Sequence, residues 1–150
     1  MSRREIPALS SSVIVAAYNA VGTIGQCLEG PLNQFVPREK YEAIVVDDGS
    51  TDSTPEIGAK YEVVVLSQPR QGAGQAGNLG VHQANGEIIP FTDADRVPAS
   101  NWLATLLSAF IDHEIAAAKG AYRTRQESLL ARFVQIEYEE KYDKMERALR

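Results

Sequence analysis

The sequence predicts an α/β fold built on a mostly parallel sheet. Three observations carry this expectation: β-branched apolar runs recur, stretches of helical periodicity separate them, and polar or glycine-rich turns follow them. The first run, Ser12 to Ala17, closes at Tyr18-Asn19, and Glu42 to Asp47 repeats its pattern; both read as buried parallel strands. Between them Ile24, Cys27, Leu28, Leu32 and Phe35 recur at helical spacing, with Gly30-Pro31 expected to end or kink that helix. A βαβ crossover is the economical connection. Thr51 to Tyr61 reads as a short second helix, with Ser53 and Glu56 at capping-box spacing and Pro55 in the first turn. Glu62 to Leu66 is the next strand, Gln75 to Ala84 the next helix and Glu87 to Phe91 a further strand. Beyond Asp95, Pro98-Ala99-Ser100 opens a helix carrying Trp102, Leu103, Leu106, Leu107 and Phe110, and Ile115 to Tyr122 is one more candidate strand. Arg123 to Arg150 holds 13 of the 35 charged residues, with Leu129, Phe133 and Ile136 on one side, as expected of an amphipathic helix with a solvated face.

At 150 residues the chain can bury one sizeable core, so residues 1–150 are read as a single domain with no internal boundary. The formal charge of −5 has the wrong sign for binding nucleic acid through the bulk field, so no nucleic-acid partner is expected and a phosphate ligand would need a local arrangement. No stretch approaches the roughly 20 apolar residues of a membrane span. One cysteine, Cys27, can form neither an intramolecular disulfide nor a thiolate metal cluster. The basic residues near the N-terminus precede no cleavable signal, so the expected location is the cytoplasm, with the membrane surface as the second choice.

Four polar or glycine-rich segments follow the carboxyl ends of the expected strands: Tyr18-Asn19, Asp47 to Asp52, Gln68 to Gly74 and Asp93-Ala94-Asp95. In an open α/β sheet that edge is where ligands bind. In an extended stretch Asp93 and Asp95 project to one side. Two ionised carboxylates about 4 Å apart repel by roughly 4 kcal/mol at an effective dielectric of 20, which calls for a cation such as Mg²⁺ or Mn²⁺ that also holds substrate phosphates. The plainer alternative is an aspartate capping the helix after Pro98. Asp47 to Asp52 does not fit a calcium loop; Ser50, Thr51 and Asp52 read as turn residues, which leaves Asp48 to accept hydrogen bonds from a base or ribose. Gly72, Gly74 and Gly77 satisfy G-x-G-x-x-G, the fingerprint of a dinucleotide-binding oxidoreductase, but that fingerprint ordinarily follows the first strand of the sheet.

Taken together, Val13 to Asn19, Ile44 to Asp52, Gly72 with Ala76, Asn78 and Gly80, Ala84 to Phe91, and Asp93-x-Asp95 resemble, in order and spacing, the family 2 glycosyltransferases of the GT-A fold, from about Ser12 to Leu107. The resemblance implies a Rossmann-like sandwich of parallel sheet and flanking helices. It also implies inverting transfer of a sugar, by hexosyl transfer, from a nucleoside diphosphate sugar to an acceptor hydroxyl, assisted by Mg²⁺ or Mn²⁺. Carried across, Ala16 and Tyr18 line the base pocket, Asp48 bonds the uracil or its equivalent, Asn78 lies beside the ribose and sugar, Asp93 lies near their hydroxyls, and Asp95 is on the metal. A UDP-sugar is the first-choice donor, and the acceptor is a carbohydrate, a lipid or another hydroxyl compound.

Two departures matter. Many relatives carry Arg where this chain has Gly77, so the charge toward the donor would come from Arg70 or Arg96. No catalytic base can be assigned, because Asp112, Glu114 and Glu127 stand in no recognisable motif; the chain is expected to be the donor-binding portion, without the acceptor-side C-terminal part. The competing readings are a donor-binding fragment without turnover, the oxidoreductase, and a noncatalytic interaction domain using the charged helix. His82 and His113 read as surface or capping residues, Cys27 as a small buried hydrophobe and Trp102 as packing between helix and sheet.

Overall fold

The computed structural model describes residues 11–111, 116–118 and 120. The chain divides into two compact units, Met1–Glu114 and Ile115–Arg150, and every element below belongs to the first. In order these are β1 (Ser11–Ala17), α1 (Ile24–Leu32), a single 3₁₀ turn (Arg38–Lys40), β2 (Tyr41–Asp47), α2 (Thr54–Gly58), β3 (Val64–Ser67), α3 (Ala73–Gln83), β4 (Phe91–Asp93) and α4 (Trp102–Ala109). The strands form one sheet in the order β3-β2-β1-β4, parallel at every pairing, with β1 and β2 in register from Ser11 opposite Tyr41 to Ala17 opposite Asp47.

Alternation along the two central strands divides the core. Val15, Ala17 and Val45 meet Ile24, Cys27 and Leu28 of α1 on one face, with Ile57 of α2 and Tyr61 packed alongside. Ile14, Ile44 and Val46 meet Ala76 of α3 on the other, where Leu66 and Leu79 complete the layer. Covered on both sides, β1 and β2 are buried at nearly every position and apolar through their centres, as buried parallel strands are. Val13 and Tyr41 close on Leu103 of α4, with Trp102 and Leu107 packed against them, so Trp102 does join helix to sheet.

Several boundaries differ from the expectations. Pro31 sits in the last turn of α1, and the side chains of Asn33 and Gln34 donate to the carbonyls of Glu29 and Gly30. The helix therefore stops at Leu32, and Phe35, expected on its apolar stripe, is 75% exposed. The second helix is only Thr54–Gly58, and Ser53 makes no capping bond; Thr54 N–H donates instead to Asp52 Oδ1 at 2.9 Å. The edge strand β3 runs Val64–Ser67 rather than 62–66. The expected strand Glu87 to Phe91 is displaced to Phe91–Asp93, because Pro90 has no N–H to donate to the ladder. Before it, the carbonyls of Ile88 and Pro90 accept from Ser12 N–H at 3.0 Å and Ile14 N–H at 2.8 Å, and Ile88 forms an isolated parallel bridge with Ser11. The helix expected to open at Pro98-Ala99-Ser100 starts at Trp102, where Gln34 Oε1 accepts the Leu103 N–H at 2.8 Å in place of a local cap. Of Ile115 to Tyr122, Ala116 to Ala118 and Gly120 are described and are not in a strand; the expected helix from Arg123 lies outside the described residues.

Candidate functional site

Strand parity brings the expected residues to one rim. Ala16 follows Ile14 on the α3 face of β1, Asp48 follows Val46 on the α3 face of β2, and Asp93, in register with Ala16, follows Phe91, which pairs with Ile14. Asp48 N–H donates to the Ala17 carbonyl at 2.8 Å, extending the ladder one residue past β2. With β1 between them, the ends of β2 and β4 stand about 10 Å apart at roughly 4.8 Å per strand. That span suits a nucleotide.

The neighbouring aspartates of the acidic loop serve opposite faces. Asp47 is buried, and its Oδ2 accepts the Ser50 N–H at 3.3 Å, pinning the turn into α2. Asp48, also buried, turns toward α3 and holds the loop after β3: Oδ1 accepts Gln68 Nε2 at 2.7 Å and Gln71 N–H at 2.8 Å, and Oδ2 accepts Gly72 N–H at 2.8 Å. The Gln68 bond foremost, then the Gln71 and Gly72 amides and the Arg70 charge, hold its carboxyl below the usual aspartate range. Gly49 has φ +75°, and a Cβ there would lie 2.7 Å from the Arg70 backbone nitrogen, so only glycine lets the two loops lie together.

The rest of that loop is spent on structure, as its turn chemistry predicts. Asn19, in the left-handed region at φ 46°, donates its N–H to Ser50 Oγ at 2.9 Å and accepts the Thr51 N–H on Oδ1 at 2.8 Å. Thr54 Oγ1, fully buried, accepts the Ala20 N–H at 2.8 Å and donates to Asp52 Oδ1. That Thr54 hydroxyl is the main reason the Asp52 carboxyl lies below its ordinary range. The loops after β1 and β2 are thus sewn into one wall, which carries Tyr18. The Tyr18 ring is 39% exposed, and the Arg70 guanidinium carbon lies 3.6 Å from its centroid. Neither the Gln68 and Gln71 bonds to Asp48 nor the Thr54 cross-link was anticipated from the sequence; the only available signal was polar side chains directly after strand ends.

The other end of the rim is open. Asp93 is exposed at the end of β4, and Arg96 N–H donates to its carbonyl at 3.0 Å, so Asp93-Ala94-Asp95 enters a turn rather than continuing as the extended stretch expected. Ala94 goes into the core against α1. The Asp95 side chain is 64% exposed and meets Arg96 Nε at 3.3 Å. Neither aspartate caps α4, whose N-cap is Asn101, so the plainer reading of this motif fails. Cys27 Sγ donates to the Asp93 carbonyl at 3.4 Å; burial first, then the Asp95 charge, pushes the thiol up to about 12, which makes Cys27 the inert hydrophobe expected. Asn78 is exposed on the second turn of α3 and its side chain makes no hydrogen bond among the described residues, while Ala76, Gly77 and Gly80 of that helix face the sheet. His82 is exposed in its last turn, and His113 lies outside the described residues.

Among the described residues no three His, Cys, Asp or Glu side chains group to hold a metal ion. The donor set still fits Mg²⁺ or Mn²⁺ bound by one or two carboxylates and completed by substrate phosphates, since the exposed Asp95 is engaged only by a surface ion pair of small worth. No helix of the described residues is long and apolar enough to cross a membrane.

A parallel sheet with polar and acidic loops gathered at its carboxyl edge defines an open α/β domain of the kind that binds ligands at that edge, and the comparisons give its family. The sequence profile described as Glycosyl transferase family 2 matches residues 12–150, and the chain belongs to that family. It is 32% identical over 146 residues to the probable glycosyltransferase YdaM of Bacillus subtilis, covering 89% of this chain and 34% of that one. Glycosyltransferase AglE of Haloferax volcanii is 37% identical over 98 residues, covering 61% and 32%. The chain therefore spans about a third of the length of these relatives. Among solved GT-A structures, Staphylococcus aureus TarS 1-349 in complex with UDP aligns with a TM-score of 0.65 at 26% identity, covering 80% of this chain and 40% of that one. Mannosyltransferase PcManGT from Pyrobaculum calidifontis, in complex with GDP-Man and Mn²⁺, gives 0.63 at 33%, covering 68% and 32%. Gly72, Gly74 and Gly77 thus belong to the glycosyltransferase loop and helix, and the oxidoreductase reading falls.

Proposed function

We propose that the rim is the donor site of an inverting, metal-dependent glycosyltransferase acting on a nucleoside diphosphate sugar, with UDP-sugars the first choice. One observation carries it: the carboxylate of Asp48 and those of Asp93 and Asp95 stand at one edge, two strands apart, with the last two facing water and Asp48 holding three donors on about four lone-pair sites. Bound UDP in one structural neighbour and GDP-Man with Mn²⁺ in another support a nucleotide sugar as ligand.

In this reading Ala16 and Tyr18 form the platform for the base. Asp48, stationed on the loop beside it, accepts from the base edge, and Asn78 and Asp93 face the ribose and sugar. Asp95 would hold a divalent ion, which offsets the charge gathering on the departing diphosphate. The acceptor hydroxyl gives its proton to a carboxylate base, its oxygen bonds to the anomeric carbon, and the bond to the diphosphate oxygen breaks, releasing the nucleoside diphosphate. Residues 1–150 supply the donor side of that reaction, with the base on an acceptor side that the assigned residues do not include. The acceptor would be a carbohydrate, a lipid or another hydroxyl compound, met in the cytoplasm or at the membrane surface.

The test is a calorimetric titration with uridine, guanosine and thymidine diphosphates, with and without Mn²⁺, on the wild type and Asp95→Asn. The expected result is preference for UDP, with Mn²⁺ strengthening wild-type binding about tenfold or more, worth roughly 1.4 kcal/mol, and the variant insensitive to Mn²⁺. No saturable binding of any of the three would sink the proposal.

A further inference from the structure

We infer that Arg70 is a displaceable cover over the Tyr18 ring, lifted when a base stacks there and then held by the diphosphate of the same ligand. This rests on the donor reading above. At 3.6 Å from the centroid the guanidinium is already in van der Waals contact with the ring, so no base can share that face while Arg70 stays. Arg70 directly precedes Gln71, whose N–H bonds Asp48, so the guanidinium covers the ring from the loop that holds that carboxylate.

The backbone beneath is held in place. Gln71 and Gly72 are tied to Asp48, and the Arg70 backbone nitrogen lies where a Cβ on Gly49 would come within 2.7 Å. The side chain can move: it is exposed, and it makes no ion pair within 4 Å among the described residues, whereas Arg96 at the far end of the rim is engaged by Asp95. Arg70 is therefore a cation parked on an aromatic face, near the Asp48 charge but with no carboxylate in ion-pair contact among the described residues. Swung off, it remains on the loop that leads into α3 and faces the ligand's phosphates, where a guanidinium pairs bidentately. Base entry and diphosphate capture become one exchange of partners, with Arg70 as the element that favours a full nucleotide over a bare nucleoside.

The exchange predicts effects of opposite sign. Arg70→Ala uncovers the platform and should bind uridine about two- to fivefold more tightly, the worth of an exposed cation–π contact. The same variant loses the phosphate partner and should bind UDP about tenfold more weakly. Arg70→Lys, which keeps the charge without the planar fork, should fall between for UDP. Calorimetry of uridine and UDP on the three proteins, with Mn²⁺ held constant, decides it. Uridine affinity unchanged or weakened in Arg70→Ala overturns the cover while leaving the donor reading intact. A wild type that binds neither ligand overturns both.

Discussion

The two ends of the rim are built from similar letters and used in opposite ways. At the β2 end, Asp47, Asp48, Ser50, Thr51, Asp52 and Thr54 all have partners in the turns themselves, most of them backbone amides of the neighbouring loops. At the β4 end, Asp93 and Asp95 are exposed, and the Asp95–Arg96 ion pair joins adjacent residues. The acidic run that looks most like a ligand cage is mainly the stitching of a wall, and the sparser pair is what the fold leaves available. A carboxylate that already holds three donors has about one acceptor site left to offer; one facing water has nearly all of them.

That contrast can be broken from either side. The largest effect on the fold is expected for Thr54→Val, which keeps the shape of a fully buried side chain but leaves the half-buried Ala20 N–H without its acceptor, a loss of about 1–3 kcal/mol by chemical denaturation. Asp48→Asn comes next. It should speed hydrogen exchange at the Gln71 and Gly72 amides and lower Tm, and it should flatten the acid limb of a stability–pH curve. The sign follows from its depressed carboxyl: the stabilisation is complete above the ordinary aspartate value of about 3.9 and is lost only as pH falls through the lower folded value. Gly77→Ala should go the other way, raising stability by about 0.5–1 kcal/mol, because helix propensity improves and the new Cβ meets only the Phe91 ring, at 3.5 Å. Smallest on the fold is Asp95→Asn, expected within about 0.5 kcal/mol of wild type, although it should abolish the Mn²⁺ effect on nucleotide affinity. A large fall in stability for Asp95→Asn would mean that the open end is structural after all.

Much of this was legible in the letters. Continuous apolar runs for β1 and β2, helical spacing of Ile24, Cys27 and Leu28, and ordered acidic motifs after the strands foretold a parallel α/β sheet and its loaded edge. Boundaries were less legible where a single group decided them. Pro90 delayed β4 until after itself, and Gln34, remote in sequence, supplied the acceptor that placed the start of α4. The straight strand expected through Asp95 stops at Asp93, where Arg96 N–H donates to the Asp93 carbonyl and the chain turns.

By itself the sequence determined the alternation of strands and helices, and which polar residues would arrive at the carboxyl edge, because periodicity and strand parity are local properties of the chain. Which of those residues would be consumed as structure, and that Arg70 would lie on Tyr18, only the tertiary structure decided. Hydrogen bonds and ring contacts between separate loops exist only once the sheet has set those loops side by side.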